Sequence, residues 1–250
     1  MAVFGYQVAG FGAGADDVAP QEITVDAIDF NGTNSQIQYA FNVFRYTNAP
    51  DSDSPGTGST HTISFWIKPE TISNFDCIVS TGTYGSFSSE EIRFNGSGQL
   101  VFLYNGSDNS NVEIITSSGT ISTGSWHHVM LSWTDNTPRL FINGSLDSHT
   151  ESGNGADVTG EASDDTFFGT RSTGASRYDG CLAEYWHGNR GYSDTTKFRS
   201  ENGKPVQVPT DVSNYIYLSG SSTTWSNNGT GTLGTQTLTN ITDCADSPSD

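Results

Sequence analysis

The 250-residue chain carries 10 Lys and Arg against 28 Asp and Glu, a formal net charge of −18. A face that neutralises nucleic-acid phosphates or anionic lipid needs clustered Lys and Arg, and no such run occurs, which argues against both partners. Only 33% of residues are hydrophobic, yet 12% are aromatic and 28 are Gly, a balance that suits many short strands and tight turns rather than a helical bundle.

In chain order, residues 1–21 stand apart. Phe4, Tyr6 and Phe11 are spaced among Gly5, Gly10, Gly12 and Gly14. The segment is too Gly-rich to fold alone and too aromatic for a plain linker. We expect it to anchor the protein on a partner chain through those three rings; the alternative is that it folds back on its own domain. It lacks the basic region and continuous apolar core of a signal peptide, so synthesis in a cytoplasm without Sec-type export is expected. No run is long enough to span a bilayer.

From residue 22 the pattern becomes one of strands. They are expected at Ile23–Phe30 and Gln36–Tyr39 around Asn31-Gly32, and at "HTISFWIKPE", where Ile63, Phe65 and Ile67 share a face and Pro69 ends the run. Residues 49–60, rich in Asp, Ser, Pro and Gly, read as a surface loop. Further strands fall at Cys77–Ser80, Glu91–Phe94, Leu100–Tyr104, Glu113–Thr116, His128–Trp133, Leu140–Ile142, Thr166–Phe168 and Ala183–His187. Asn143-Gly144 is the dipeptide that adopts the positive φ angles of a hairpin turn at least cost. Ser193 can cap a helix over "DTTKFRSENG", with Asp194 in its first turn and Gly203 past its end. Residues 201–250 add strands at Tyr215–Leu218 and Thr235–Leu238 and close in a Ser, Pro and Asp tail. Cys77, Cys181 and Cys244 are odd in number and widely spaced; they show no zinc spacing and no disulfide framework, and each is expected to be a small buried hydrophobe.

Four stretches in order carry a resemblance: "AIDFNGTNSQIQY", "HTISFWIKP", "SWHHVMLSWTDNTPRLFINGSL" and "YDGCLAEYWHGNRGYSD". Together they resemble the laminin-G-like, concanavalin-A-like jelly roll over residues 24 to 200. The resemblance implies an all-β jelly-roll sandwich with a Gly-rich N-terminal extension. Its regions are an anchoring segment over 1–21, the sandwich over 22–200 and a β extension packed on it over 201–250. The tail "NGKPVQVPT…IYLSG…WSNNGTGT…SPSD" resembles jelly-roll proteins of bacteriophage particles.

The same fold class contains glucan hydrolases, whose retaining members need two carboxylates about 5 Å apart. The glucanase pattern Glu-x-Asp-x-x-Glu is absent. Glu90-Glu91 and Asp164-Asp165 would place adjacent side chains on opposite faces of a strand. Glu184 matches the family's carboxylate on the closing strand and reads as supporting the fold. His127 and His128, in the Trp-x-His motif, read as core or rim histidines; with His61, His149 and His187 they form no zinc or triad spacing. The resemblance further implies Ca²⁺ held at the sandwich rim, where hard cations take oxygen ligands. The loop candidates are Asp51, Asp53, Asp108, Asp164, Asp165 and Asp179, none matched to a particular family ligand. Sugar stacking would fall to the loop aromatics Tyr46, Tyr84, Phe87, Tyr178 and Tyr192, with Trp225 either stacking or core; Trp66, Trp126, Trp133 and Trp186 read as core.

The expected function is a non-enzymatic bacteriophage virion surface protein, a capsid decoration or fibre-like subunit. Its partners would be other virion proteins and host-surface glycan, in a homo-oligomer with a trimer favoured. The alternatives are a cell-surface or secreted carbohydrate-binding module and a glycan hydrolase.

Overall fold

The strand "HTISFWIKP" sets the architecture. Ile63, Phe65 and Ile67 enter the central core, while Trp66 on the opposite face packs with Ala27 and Ala183. A computed structural model describes residues 20–40, 60–82, 90–105, 112–134, 137–153, 165–212 and 215–250. Along these the strands run β1 (Ile28–Asn31), β2 (Gln36–Tyr39), β3 (His61–Pro69), β4 (Cys77–Thr81), β5 (Glu90–Phe94) and β6 (Gln99–Asn105). Next come β7 (Val112–Thr120), β8 (His127–Thr134), β9 (Thr137–Ile142), β10 (Ser145–Asp147), β11 (Thr150–Gly153) and β12 (Thr166–Phe168). The last are β13 (Asp179–Gly188), β14 (Tyr215–Ser219), β15 (Ser226–Asn227), β16 (Gln236–Thr239) and β17 (Thr242–Asp243).

Two antiparallel sheets face each other as a jelly-roll sandwich. The first runs β10-β9-β8-β3-β13-β1-β17, with β14 also on β13 and β15 on β14; the second runs β11-β7-β6-β5-β4-β12-β2-β16. Between them lies one apolar layer that includes Phe30, Phe65, Phe94, Phe102, Phe168, Tyr185 and Trp133. Rings of this size, fully buried, each stabilise the sandwich by about 1.5–3 kcal/mol. Residues 201–250 supply strands to both sheets.

The Asn-Gly turn forms as its sequence predicts. Asn143 has φ +54° and Gly144 φ +85°, and β9 turns directly into β10. Asn143 is also a clamp. Its Oδ1 accepts the His128 backbone N–H at 3.0 Å and its Nδ2 lies 3.0 Å from His127 Nδ1. The motif's His and Asn-Gly are therefore two ends of one contact between β8 and the β9–β10 turn.

Three expectations are corrected. Residues 193–203 form no helix. Asp194 Oδ1 does accept the Thr196 N–H, and one turn closes from Arg199 N–H to the Thr195 carbonyl. The chain then bends back, with Ser200 N–H on the Lys204 carbonyl, because Phe198 is drawn against Trp186 at 5.1 Å. Cys181 and Cys244 form a disulfide that ties the C-terminal segment to β13, and only Cys77 stays a buried free thiol. Residues 23–27 are not strand. Ile23 N–H bonds the Pro205 carbonyl and Val25 N–H the Ser249 hydroxyl, so this stretch pairs with the C-terminal region before β1 begins.

Candidate functional site

The two sheets differ in what covers their outer faces. In β3, β8 and β13 nearly every residue is buried, so these strands are covered on both sides. Met130, Phe141 and Trp186 lie beneath Tyr192, Phe198, Val208 and Val212. The cover is bonded down: Tyr192 N–H donates to Ser132 Oγ at 2.8 Å, and Thr62 Oγ1 to the Arg190 carbonyl at 2.7 Å. The second sheet is mixed: β4 is buried throughout and β5 at all but Arg93, so Ser80 and Glu91 are covered at its centre. β2 and β12 bury every other residue, and the outward side chains Gln38, Phe167, Arg93, Leu103 and Ile114 are half-buried. Pairing register lays Gln38, Phe167, Ser80, Glu91, Leu103 and Ile114 in one row across that face.

The row holds a charged centre. Glu91 receives Arg171 at Nε, 2.7 Å, and Nη2, 2.9 Å, with Arg93 Nε at 3.5 Å on its other side. Two of the chain's ten cationic side chains thus converge on one carboxylate. The Phe75 ring lies over both guanidiniums, 4.6 Å from Arg93 Cζ and 5.1 Å from that of Arg171. Contacts of this kind contribute about 0.5–1 kcal/mol at exposed sites. Phe75 has φ +75°, a strained conformation for a bulky residue, held by its N–H on the Phe94 carbonyl at 2.9 Å. At 37% exposure it is the one exposed aromatic among the described residues. Sequence reading passed over it; its signal is a Phe between the turn formers Asn74 and Asp76.

The named sugar-binding candidates fall differently. Tyr178 is buried between Phe30 and Phe94 and donates to the Cys181 carbonyl at 3.0 Å. Tyr192 packs edge-on to Trp186 and Phe198, and Trp225 lies in the central core. These three rings are withdrawn as stacking platforms, because protein already occupies their faces. Tyr46, Tyr84 and Phe87, the anchoring residues Phe4, Tyr6 and Phe11, and the aspartates Asp51, Asp53, Asp108 and Asp164 lie outside the described residues. Asp165 accepts from Gln38 Nε2 at 2.6 Å, while Asp179 accepts from Thr71 at 3.0 Å on the other sheet. Among the described residues no three His, Cys, Asp or Glu form a group that could hold a metal ion.

The acid–base inventory is structural. Glu90 bonds Thr81 toward the inside while Glu91 faces outward, so the two carboxylates share no face. Glu184 sits at the bulge in β13, where the strand's neighbour changes from β1 to β14, with φ +53°. It accepts the Tyr217 hydroxyl, and burial pushes its pKa up to about 7 despite that bond. His128 is buried against Ser64 Oγ at 2.8 Å, and burial brings its pKa down to about 3. His61 stacks on Trp133 and faces His187; burial first, then the second imidazole, hold it well below its usual pKa. Of these groups only Glu91 lies on the half-buried face, where Arg171 and Arg93 flank it.

Among solved structures, a Bacteroides ovatus protein provisionally named as carbohydrate-binding aligns at 16% identity and a TM-score of 0.52. The alignment covers 90% of this chain and 60% of that one. A SAP-like pentraxin from Limulus polyphemus aligns at 16% identity and TM-score 0.49, over 78% and 93% of the two chains. The LG4-5 domains of the mouse laminin α1 chain align at 13% and 0.48, over 82% and 49%. At these identities the likeness is one of fold. The chain spans about half to nine-tenths of the lengths of these structures. No curated protein sequence matches the chain. No helix among the described residues is long and apolar enough to cross a membrane, which says nothing of β-barrels. The family model that matches spans residues 41–195, well over half of the chain: the protein belongs to the concanavalin A-like lectin/glucanases superfamily.

Proposed function

We propose that this protein is a non-enzymatic glycan-binding module that presents the outer face of its second sheet to carbohydrate. The observation that carries the reading is the asymmetry between the sheets. Among the described residues one outer face is sealed by the protein's own chain, while the other, covered at Ser80 and Glu91, offers half-buried apolar and amide side chains to either side and an exposed Phe75. Sugars are bound by such mixtures, aromatic faces against C–H surfaces and amides to hydroxyls. The one placed pair of adjacent glutamates points to opposite faces, which speaks against a glycosidase pair there. The Bacteroides protein with the same fold is provisionally named for this activity. A glycan array probed with the labelled protein tests the reading, with product analysis of each bound glycan. Retention of intact glycans supports it; release of shortened chains assigns a hydrolase instead, and silence across the array removes it.

The setting we infer is the surface of a bacteriophage particle, reached after synthesis in the host cytoplasm. Support comes from the tail motifs after residue 201 and the Gly-rich, aromatic segment 1–21, which would anchor the module on capsid or tail proteins. Residues 22–200 with the 201–250 extension would then form the displayed unit. It would assemble as a homo-oligomer, a trimer in keeping with the closed symmetry of virion spikes. Mass-spectrometric quantification against the major capsid protein in gradient-purified particles tests this. Near-stoichiometric abundance indicates a capsid decoration and a few copies a fibre; absence overturns the virion setting and leaves the glycan module.

A further inference from the structure

The charged centre of the second sheet narrows the class of glycan. We propose that Arg93, with Phe75 above it, recognises a carboxylate-bearing sugar, a uronic or sialic acid; this rests on the glycan-binding reading of the same face. Arg171 already pairs with Glu91, its Nη2 donating at 2.9 Å and its Nε lying 2.7 Å from the other carboxylate oxygen. Arg93 is the surplus cation. It reaches Glu91 only at 3.5 Å through Nε, and its Nη1 is buried with no hydrogen-bond partner among the described residues. A buried donor left without a partner is a rarity in folded proteins and calls for a ligand or water. The planar fork of a guanidinium matches the two oxygens of a carboxylate, which is why arginine recurs where carboxylates are recognised. In a chain of net charge −18, a positive donor held at this face selects for an anion against the general field.

Access is through Phe75. The ring covers Arg93 but is itself 37% exposed, on a backbone held at φ +75°. Swung aside, it presents its face to the apolar side of the sugar ring while the carboxylate takes its place over Arg93. The two residues thus have separable duties, charge for one and stacking for the other.

The test is a calorimetric titration of the full chain with uronic-acid and sialic-acid oligosaccharides, each beside its methyl ester. The ester keeps the shape and removes the charge. Expected is about tenfold tighter binding of at least one acid than of its ester, weakening as salt rises. Arg93→Gln should bring the acid to the ester's affinity and leave the ester unchanged. Glu91 keeps Arg171 in that variant, and a thermal melt confirms folding. Phe75→Ala should weaken acid and ester together. Equal binding of acid and ester, or a preference that survives Arg93→Gln, overturns the proposal while the glycan reading stands. Binding of neutral glycans alone does the same. No binding of any sugar removes both.

Discussion

The buried carboxyl of Glu184 accepts a hydrogen bond from the Tyr217 hydroxyl across the bulge that divides β13. Burial raises the pKa of Glu184 to about 7 from 4.5, the Tyr217 bond opposing the shift and the Asp26 charge adding to it. Below about pH 4.5 the group is protonated in folded and unfolded chains alike and stability is unaffected. As pH rises the unfolded chain ionises first, so unfolding releases a proton and stability falls until the folded group also ionises near pH 7. The full loss is on the order of 3 kcal/mol. Urea denaturation at pH 4.5 to 8 should show this decline in the wild type and a flatter profile in Glu184→Gln. An unchanged slope in the variant would assign the decline to other groups.

Arg171 is the main partner of a buried charge. Arg171→Ala leaves Glu91 with only the 3.5 Å approach of Arg93, and breaking a buried pair from one side costs about 3–5 kcal/mol. Denaturant midpoints should show a loss of that order, relieved when Glu91→Gln is added.

The Cys181–Cys244 bond closes a sequence separation of 63 residues. Removing such a link costs about 2–4 kcal/mol, mainly through the entropy of the unfolded chain. Cys244→Ser, or reduction of the wild type, should lower the melting temperature. It should also expose the Trp66–Ala183 patch that Cys244 helps cover, readable as a red shift in tryptophan emission.

Asn143 closes the β9–β10 turn at positive φ and bonds both His128 N–H and His127. Asn143→Ala forfeits these contacts and places alanine in a left-handed conformation, a combined cost of about 2–4 kcal/mol. Asn143→Gly keeps the turn and should lose less. Equal losses would mean that the hydrogen bonds, not the φ angle, decide.

The sandwich was legible because its strands alternate. The runs around Ile63-Phe65-Ile67 and Val129-Leu131-Trp133 carry a period of two that no helix shares, and they enter the core as that period predicts. Edge strands such as Ser145–Asp147 and Thr150–Gly153 were not legible, since they are polar, largely exposed and held by pairing alone. The helix over 193–203 failed because a true Asp194 cap starts one turn that tertiary packing of Phe198 then redirects. The disulfide could not be read from three cysteines whose partners are fixed only once β13 and the C-terminal segment meet. The site was the least legible part. Sequence offers aromatics in loops without saying which faces are already occupied; burial decides that for Tyr178, Tyr192 and Trp225, and among the described residues Phe75 is the aromatic left exposed.

The central claim is that carbohydrate meets the outer face of the second sheet. Amide chemical-shift mapping of the isotope-labelled protein, with a glycan selected from the array, tests it most directly. The account predicts perturbations centred on Gln38, Phe75, Arg93, Leu103 and Phe167, with residues 189–212 and 242–250 unmoved. Perturbations confined to those covering segments, with the second sheet silent, would contradict it.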